Sequence, residues 1–463
     1  MEKKSINKFH IAGVFLVIIA LIFLSGCGLK PTPEKRYPIK LEIWGLFDDS
    51  DTFLGTFEAY QKSNPNVLSI SYKKLSPDTY KKELVEALAS GQGPDIFLIQ
   101  NTWLPSFMDK ITPVTADILT EQKFRSDFVD VVAADFIDQG KIYAVPLSVD
   151  TLGLYYNKDL FNQAGITSPP ATWDDFAEDV KKLTKIDGIG RIQQAGAAIG
   201  TAYNINRSTD VLTLLMLQNG TKMTDDRQSR ALFDQGGGKR DSNGKSVIPG
   251  LETLNFYTQF AKAGTFYTWN KEMHYSTDAF SENNLAMMLN YSWQIPTIRN
   301  KAPKLNFAVA PIPQLNPSTP INFPNYWGFA VAKNKAESSV TSGSQKVQVP
   351  DAVRVAEAWN FLKFLAAKPG ATEVSAFDAA ADYAQKTNKP AARRDLIEKQ
   401  KTDTDIGVFA QGNLIAKDWR EVDPIAIESI FASMIDSVNS GSATSMDALK
   451  SASAQVTQLM NNR

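Results

Sequence analysis

From Ile39 to Gly45 apolar and polar positions alternate (Ile-Lys-Leu-Glu-Ile-Trp-Gly), the period of a half-buried strand, and Phe53, Phe57 and Tyr60 then recur at helical spacing. Val67 to Tyr72 reads as a second strand. Ser76-Pro77 is a helix start, with Tyr80, Leu84, Val85 and Leu88 forming an apolar stripe that ends at Gly91. Asp95 to Ile99 is apolar without alternation, as in a strand covered on both faces. Strands alternating with helices imply a mainly parallel sheet with helices on both sides. The pattern restarts at Tyr143 to Tyr156. It continues through a helix capped by Thr172 with Asp175 three residues on, then strands at Leu285–Asn290 and Asn306–Ile312. This predicts a second α/β lobe. Residues 234–248, with Gly236-Gly237-Gly238 and Asn243-Gly244, form a polar loop, and 335–350 another excursion. Beyond Pro350 the chain reads as mainly helical, with Val355, Trp359, Leu362 and Phe364 on one face, and no internal repeat is evident.

The N-terminus changes the picture. Lys3, Lys4 and Lys8 precede an unbroken apolar run from Ile11 to Leu24, followed by Leu24-Ser25-Gly26-Cys27. The run is short for a membrane span, and small residues stand before the cysteine, the pattern of a lipoprotein signal peptide over residues 1–26. Cleavage before Cys27 frees that thiol for lipidation, and residues 27–38, with Pro31, Pro33 and Pro38, serve as a tether. An uncleaved signal anchor is the alternative. Either way the rest of the chain is expected outside the cytoplasm, anchored to the membrane.

The 437 residues from Cys27 onward carry 46 basic and 49 acidic side chains, with no basic footprint for nucleic acid. A chain this long exceeds the usual single-domain size, so two lobes are expected. Cys27 is the only cysteine, which excludes an intramolecular disulfide and a thiolate metal site. Of the two histidines, His10 lies in the leader, leaving His274 for any Ser-His-Asp triad; no nucleophile elbow accompanies it, and a histidine-rich metal site is excluded. No cofactor is called for.

Several segments, collinear along nearly the whole chain after the leader, resemble the family 1 extracellular solute-binding proteins of ABC importers, the group similar to maltose-binding protein. The most specific are Tyr143-Ala144-Val145-Pro146, Asp150, Leu154-Tyr155-Tyr156-Asn157-Lys158-Asp159-Leu160-Phe161 and Pro170-Ala171-Thr172-Trp173-Asp174-Asp175-Phe176. Gly91-Gln92-Gly93-Pro94-Asp95-Ile96, Pro311-Ile312-Pro313-Gln314, Tyr326-Trp327-Gly328-Phe329 and Ala391-Ala392-Arg393-Arg394-Asp395 support them. The resemblance implies a two-lobed, periplasmic-binding-protein-like fold of type II with a ligand cleft between lobes. One lobe would comprise 39–148 plus about 316–375 and the other 149–315 plus about 376–463. Crossings would fall near Ser148 to Asp150, Pro313 to Pro320 and Thr372 to Asp382. It also implies a monomeric, non-enzymatic receptor that captures a small molecule, a sugar by preference, and passes it to the transmembrane subunits of a permease. Tyr155-Tyr156 and Trp173 read as scaffold, diagnostic of fold and not of ligand.

Ligands of open α/β sheets bind beyond the carboxyl ends of strands. After the first strand stand Trp44, Asp48 and Asp49, carboxylates suited to adjacent sugar hydroxyls or to helix capping. After the third stand Gln100, Asn101 and Trp103, an amide pair beside an aromatic ring. Asp150 falls at the first crossing. Trp293, in Asn290-Tyr291-Ser292-Trp293, resembles the family's stacking tryptophan, whose flat face suits a sugar ring. Tyr326 and Trp327 open a strand of the other lobe, where Trp327 is either a clamp or core. Arg393, Trp419, Tyr203 and Asn204 complete the set. The rival readings are a secreted hydrolase using two carboxylates, though no spacing singles out a pair, and a receptor for a peptide, polyamine, phosphate ester or metal. The scarcity of histidine and cysteine disfavours a metal, and no glycine-rich cradle favours a phosphate.

Overall fold

The computed structural model describes residues 37–461 except 239, 241–243, 245, 334, 337, 343–344 and 371–376. The leader, Cys27 and most of the tether lie outside the described residues. The first sheet has the order Val67–Lys74, Ile39–Gly45, Ile96–Gln100, Trp327–Val331, Val145–Pro146. Ile39–Gly45 is parallel to both its neighbours, while Trp327–Val331 is antiparallel to both of its own. The second sheet runs Phe307–Ala310, Gly153–Asn157, Leu285–Asn290, Ile192–Ala197, Lys185–Ile186. Here too the strand that arrives from the other lobe, Gly153–Asn157, is the reversed one. The cause is the same in both sheets. Trp327 pairs with Gln100 and Gly153 with Asn290, so each crossing strand starts at the carboxyl end of a neighbour and runs away from it. The local alternation predicts parallel strands; the crossings supply the antiparallel ones, with a short edge strand, Lys185–Ile186, adding another.

The predicted caps form. Thr172 Oγ1 accepts from the Asp175 amide (3.1 Å) and donates to its carboxylate (2.7 Å), starting the helix Trp173–Leu183. Asn157 Oδ1 accepts from the amides of Asp159 and Leu160 to open Lys158–Gln163. Trp173 is buried and donates to Gln218 Oε1 at 2.7 Å, a scaffold contact. Residues 338–349 differ from an open excursion: Ser338–Ser342 and Gln345–Val349 form an antiparallel ribbon, pinned by Val340 and Val349 in the first core.

The stretch from Tyr143 to Tyr156 holds three strands. Val145–Pro146 belongs to the first sheet, Asp150–Thr151 pairs with Pro324–Asn325, and Gly153–Asn157 belongs to the second. The apolar run is continuous because each piece is buried, but in a different surrounding. One core gathers residues from Ile39 to Val149, Tyr326 to Ala332 and Ala358 to Ile397; another gathers Leu152 to Phe323 and Trp419 to Met460. The second passage thus falls at Phe323–Tyr326, past the expected 313–320. The third falls later than 372–382, because Tyr383, Ala391, Leu396 and Ile397 all pack in the first core, Tyr383 stacking on Phe53 at 5.7 Å. At these passages side-chain amides reinforce the short strand pairing. Asn413 Nδ2 donates to the carbonyls of Val149 (2.6 Å) and Ala391 (3.1 Å), and Asn322 Nδ2 to that of Leu152 (2.8 Å).

Candidate interlobe binding site

The end of Ile96–Gln100 faces the starts of two second-lobe helices, Ser208–Gln218 and Pro424–Asn439, across a cleft. Gln100, Asn101 and Thr102 line it from the first lobe, and Pro324 and Asn325 floor it at the passage. Arg207, Asp210, Glu421, Glu428 and Phe431 line it from the second lobe. Strand ends and helix starts converge because both lobes aim the carboxyl edges of their sheets at one another.

On the second-lobe wall four side chains form one unit. Arg207 sits at φ 65°, a left-handed conformation uncommon for a residue with a Cβ. Its guanidinium lies 5.8 Å from the Tyr291 ring and 5.4 Å from that of Trp293, which stack on each other at 4.4 Å and 22°. Tyr291 then donates its hydroxyl to Asp210 Oδ2 at 2.8 Å. Trp293 stays 37% exposed, an apolar face beside the cleft. Asp150 holds its turn in place: Oδ2 accepts from the Ser292 amide (3.0 Å) and hydroxyl (2.5 Å), and Oδ1 from the Thr151 amide (2.9 Å). Burial outweighs these donors and pushes the Asp150 carboxyl up to about 7. Asp150 therefore ties the first passage to the stacking residues and is itself a positioning group.

A second acidic cluster bridges toward the first wall. Tyr326 donates to Asp135 Oδ2 at 2.5 Å, and Asn101 Nδ2 to Asp418 Oδ2 at 2.6 Å. Burial pushes both carboxyls up, Asp418 to about 6 and Asp135 well above the usual range, and the charge of Asp418 adds to the rise at Asp135. Burial, then Asp210, Asp418 and Glu428, hold Glu421 well above the ordinary carboxylate range. Asp210 is also raised by burial, opposed by Arg207 and Tyr291.

Of the residues anticipated from sequence, Gln100 and Asn101 line the cleft, Asp150 and Tyr326 sit just behind it, and Trp293 flanks it. Trp327, half-buried, pairs with Gln100 in the sheet and meets Phe47 edge-on at 5.8 Å. Trp419 is buried, stacked on Phe431 behind the second wall. The others go elsewhere. Trp44 is buried and donates to Glu42, and Trp103 packs between Phe107 and Trp327. Asp48 accepts from Tyr383 and Lys389, tying its loop to the helix Ala379–Thr387, and Asp49 pairs with Lys74 at the surface. Asn204 is consumed by the carbonyls of Asn270 and Met273, while Tyr203 is 66% exposed and is not among the residues lining the cleft. Arg393, which the resemblance turned toward the cleft, is 1% exposed and held by Asp378 and Asp395: a buried guanidinium needs such partners. His274 lies at the surface, 2.9 Å from Glu282.

The residues missed are Thr102, Arg207, Asp210, Glu421 and Glu428. Ser208-Thr209-Asp210 reads as a helix cap and Asp423-Pro424 as a helix start, so their neighbours pass for solvated surface. Arg207 and Glu421 lie more than 200 positions apart, and only the fold brings them to one wall.

The sequence matches the family described as bacterial extracellular solute-binding protein over residues 45–372. A putative binding protein of Brucella abortus is 24% identical over 257 residues, 55% of this chain and 58% of that protein, so this match spans little more than half of that relative's length. The arabinooligosaccharide-binding protein of Bacillus subtilis is 23% identical over 327 residues, 66% of this chain and 68% of its own. Two solved structures share the fold with a TM-score of 0.70. The cyclic alpha-maltosyl-1,6-maltose binding protein of Arthrobacter globiformis is 18% identical, covering 92% of this chain and 100% of that one. The sugar-binding protein MalE of Xanthomonas citri is 16% identical, covering 92% and 98%. The chain belongs to the bacterial extracellular solute-binding protein family.

Proposed function

We propose that this chain is the extracytoplasmic receptor of an ABC importer, anchored through Cys27, which captures a carbohydrate between its lobes and hands it to the permease without altering it. The observation that carries the reading is the composite cleft. One wall supplies neutral amide and hydroxyl groups, the other an exposed indole face with a guanidinium and carboxylates, the mixture that a sugar's apolar ring faces and hydroxyls call for. The sugar-binding names among the relatives lean the same way. Ligand touching both walls favours the closed arrangement, and the permease reads that arrangement.

A thermal-shift screen of the full chain in a sugar-free detergent tests this, with mono- and oligosaccharides against amino acids, peptides, polyamines and phosphate esters. Binding to the native state raises the midpoint. The expected result is a carbohydrate hit, weakened by Trp293→Ala. A hit confined to non-sugars removes the carbohydrate reading, and consumption of a glycan removes the receptor reading in favour of an enzyme.

A further inference from the structure

The carboxyl groups on the second wall exceed what a neutral sugar needs. Asp210, Glu421 and Glu428 line the cleft with Arg207 as the cation among its lining residues, and Asp418 stands close enough to Glu421 to raise its affinity for a proton. Arg207 lies over the rings of Tyr291 and Trp293 and attracts Asp210 at longer range, with no ion pair joining the two among the described residues. No donor reaches Glu421 or Glu428 among the described residues, and Asp210 receives the Tyr291 hydroxyl on one oxygen. Across the cleft Thr102, 8% exposed, has its hydroxyl oxygen buried without a partner. Burial favours the protonated form of Asp210 and Glu421, which a neutral ligand leaves unchanged, whereas a bound cation stabilises their carboxylates and gains a charge-assisted contact. A metal ion would need converging ligands, and among the described residues no cluster of three or more histidine, cysteine, aspartate or glutamate side chains has that disposition. The stacking face of Trp293 on the same wall calls for a ring instead.

We infer that the cleft selects a saccharide bearing a protonated amine, an amino sugar or aminated oligosaccharide, with the ammonium between Asp210, Glu421 and Glu428 and a hydroxyl on Thr102. This rests on the reading of the cleft as a carbohydrate site. An ammonium carries a full charge, so it is attracted by every carboxylate along the wall while bonding to one, where a hydroxyl only bonds to one. The same cluster disfavours uronic acids and sugar phosphates by repulsion.

The test is calorimetric titration of the full chain, in sugar-free detergent, with four trisaccharides: deacetylated chitotriose, its N-acetylated form, cellotriose and maltotriose. Deacetylated chitotriose and cellotriose differ in an ammonium against a hydroxyl at C2. The aminated ligand is expected to bind at least tenfold more tightly than cellotriose, about 1.4 kcal/mol. Glu421→Gln and Glu428→Gln should each narrow that ratio, and added salt should narrow it in the wild-type chain. Equal or tighter binding of the neutral trisaccharides overturns the inference and leaves the carbohydrate reading standing. A preference that survives both glutamine variants and salt overturns the placement of the ammonium. Binding of spermidine with no trisaccharide bound, or no binding of any probe, overturns the inference and the carbohydrate reading together.

Discussion

The first-lobe wall of the cleft is a single strand end, Gln100-Asn101-Thr102, with neutral side chains, whereas the second-lobe wall is assembled from three separated segments around Arg207, Trp293 and Glu421. The first wall is built by local sequence and backed by strand pairing to Trp327; the second depends on tertiary contacts such as the Asp150 clamp on Ser292. A large aromatic face and charged groups contribute more to affinity than neutral hydrogen bonds to solvent-accessible partners. On the proposed function, the contrast predicts capture by the second lobe and adjustment by the first.

Removing the aromatic face tests this assignment hardest. Trp293→Ala should weaken glycan binding by about 2 kcal/mol or more in calorimetry, with little change in unfolding midpoint because the ring is partly exposed. Asp150→Ala comes next. It leaves the Ser292 amide, the Ser292 hydroxyl and the Thr151 amide without their acceptor, costing roughly 1–3 kcal/mol in urea unfolding, and it loosens the turn that carries Trp293. An Asp150→Ala protein that binds as tightly as the wild type would separate the clamp from the site.

The pH dependence is smaller and carries a definite sign. Folding raises the Asp150 carboxyl from its ordinary value of 3.8 to about 7, so between those values the folded chain holds a proton that the unfolded chain has released. Stability from this group is thus greatest below the ordinary value, declines as pH rises toward 7, and is flat above, at a slope of at most about 1.4 kcal/mol per pH unit. The raised Asp135 and Asp418 act in the same direction. Urea titrations at several pH values should show this decline, and Asp150→Asn should flatten part of it. The smallest effects belong to the first wall. Gln100→Ala and Thr102→Val should each weaken binding by about 1 kcal/mol or less.

The difference between the walls also explains what the sequence could disclose. Ile39–Gly45 is legible because its first positions alternate in burial, and Leu285–Asn290 because it is a short apolar run buried throughout. Gln100 and Asn101 follow such a strand and stand out as amides after an apolar run. The break of 143–156 into three strands is hidden, since burial in either lobe selects the same apolar residues. Arg393 and Asp48 mislead for a related reason: a charged residue at a loop looks alike whether it faces a ligand or a buried counter-ion such as Asp378 or Lys389. Glu421 lies in a charge-dense stretch, Asp418-Trp419-Arg420-Glu421, with no regular structure around it, and that density away from a helix face was the one signal available.

The most direct measurement is a calorimetric titration of the full chain with the carbohydrate found in the screen, repeated on Trp293→Ala and Gln100→Ala. Capture by the second lobe with closure by the first predicts that both variants bind more weakly, with the larger loss at Trp293. Unchanged affinity in both would show that the glycan does not occupy the cleft, and a larger loss at Gln100 would reverse the roles of the two walls.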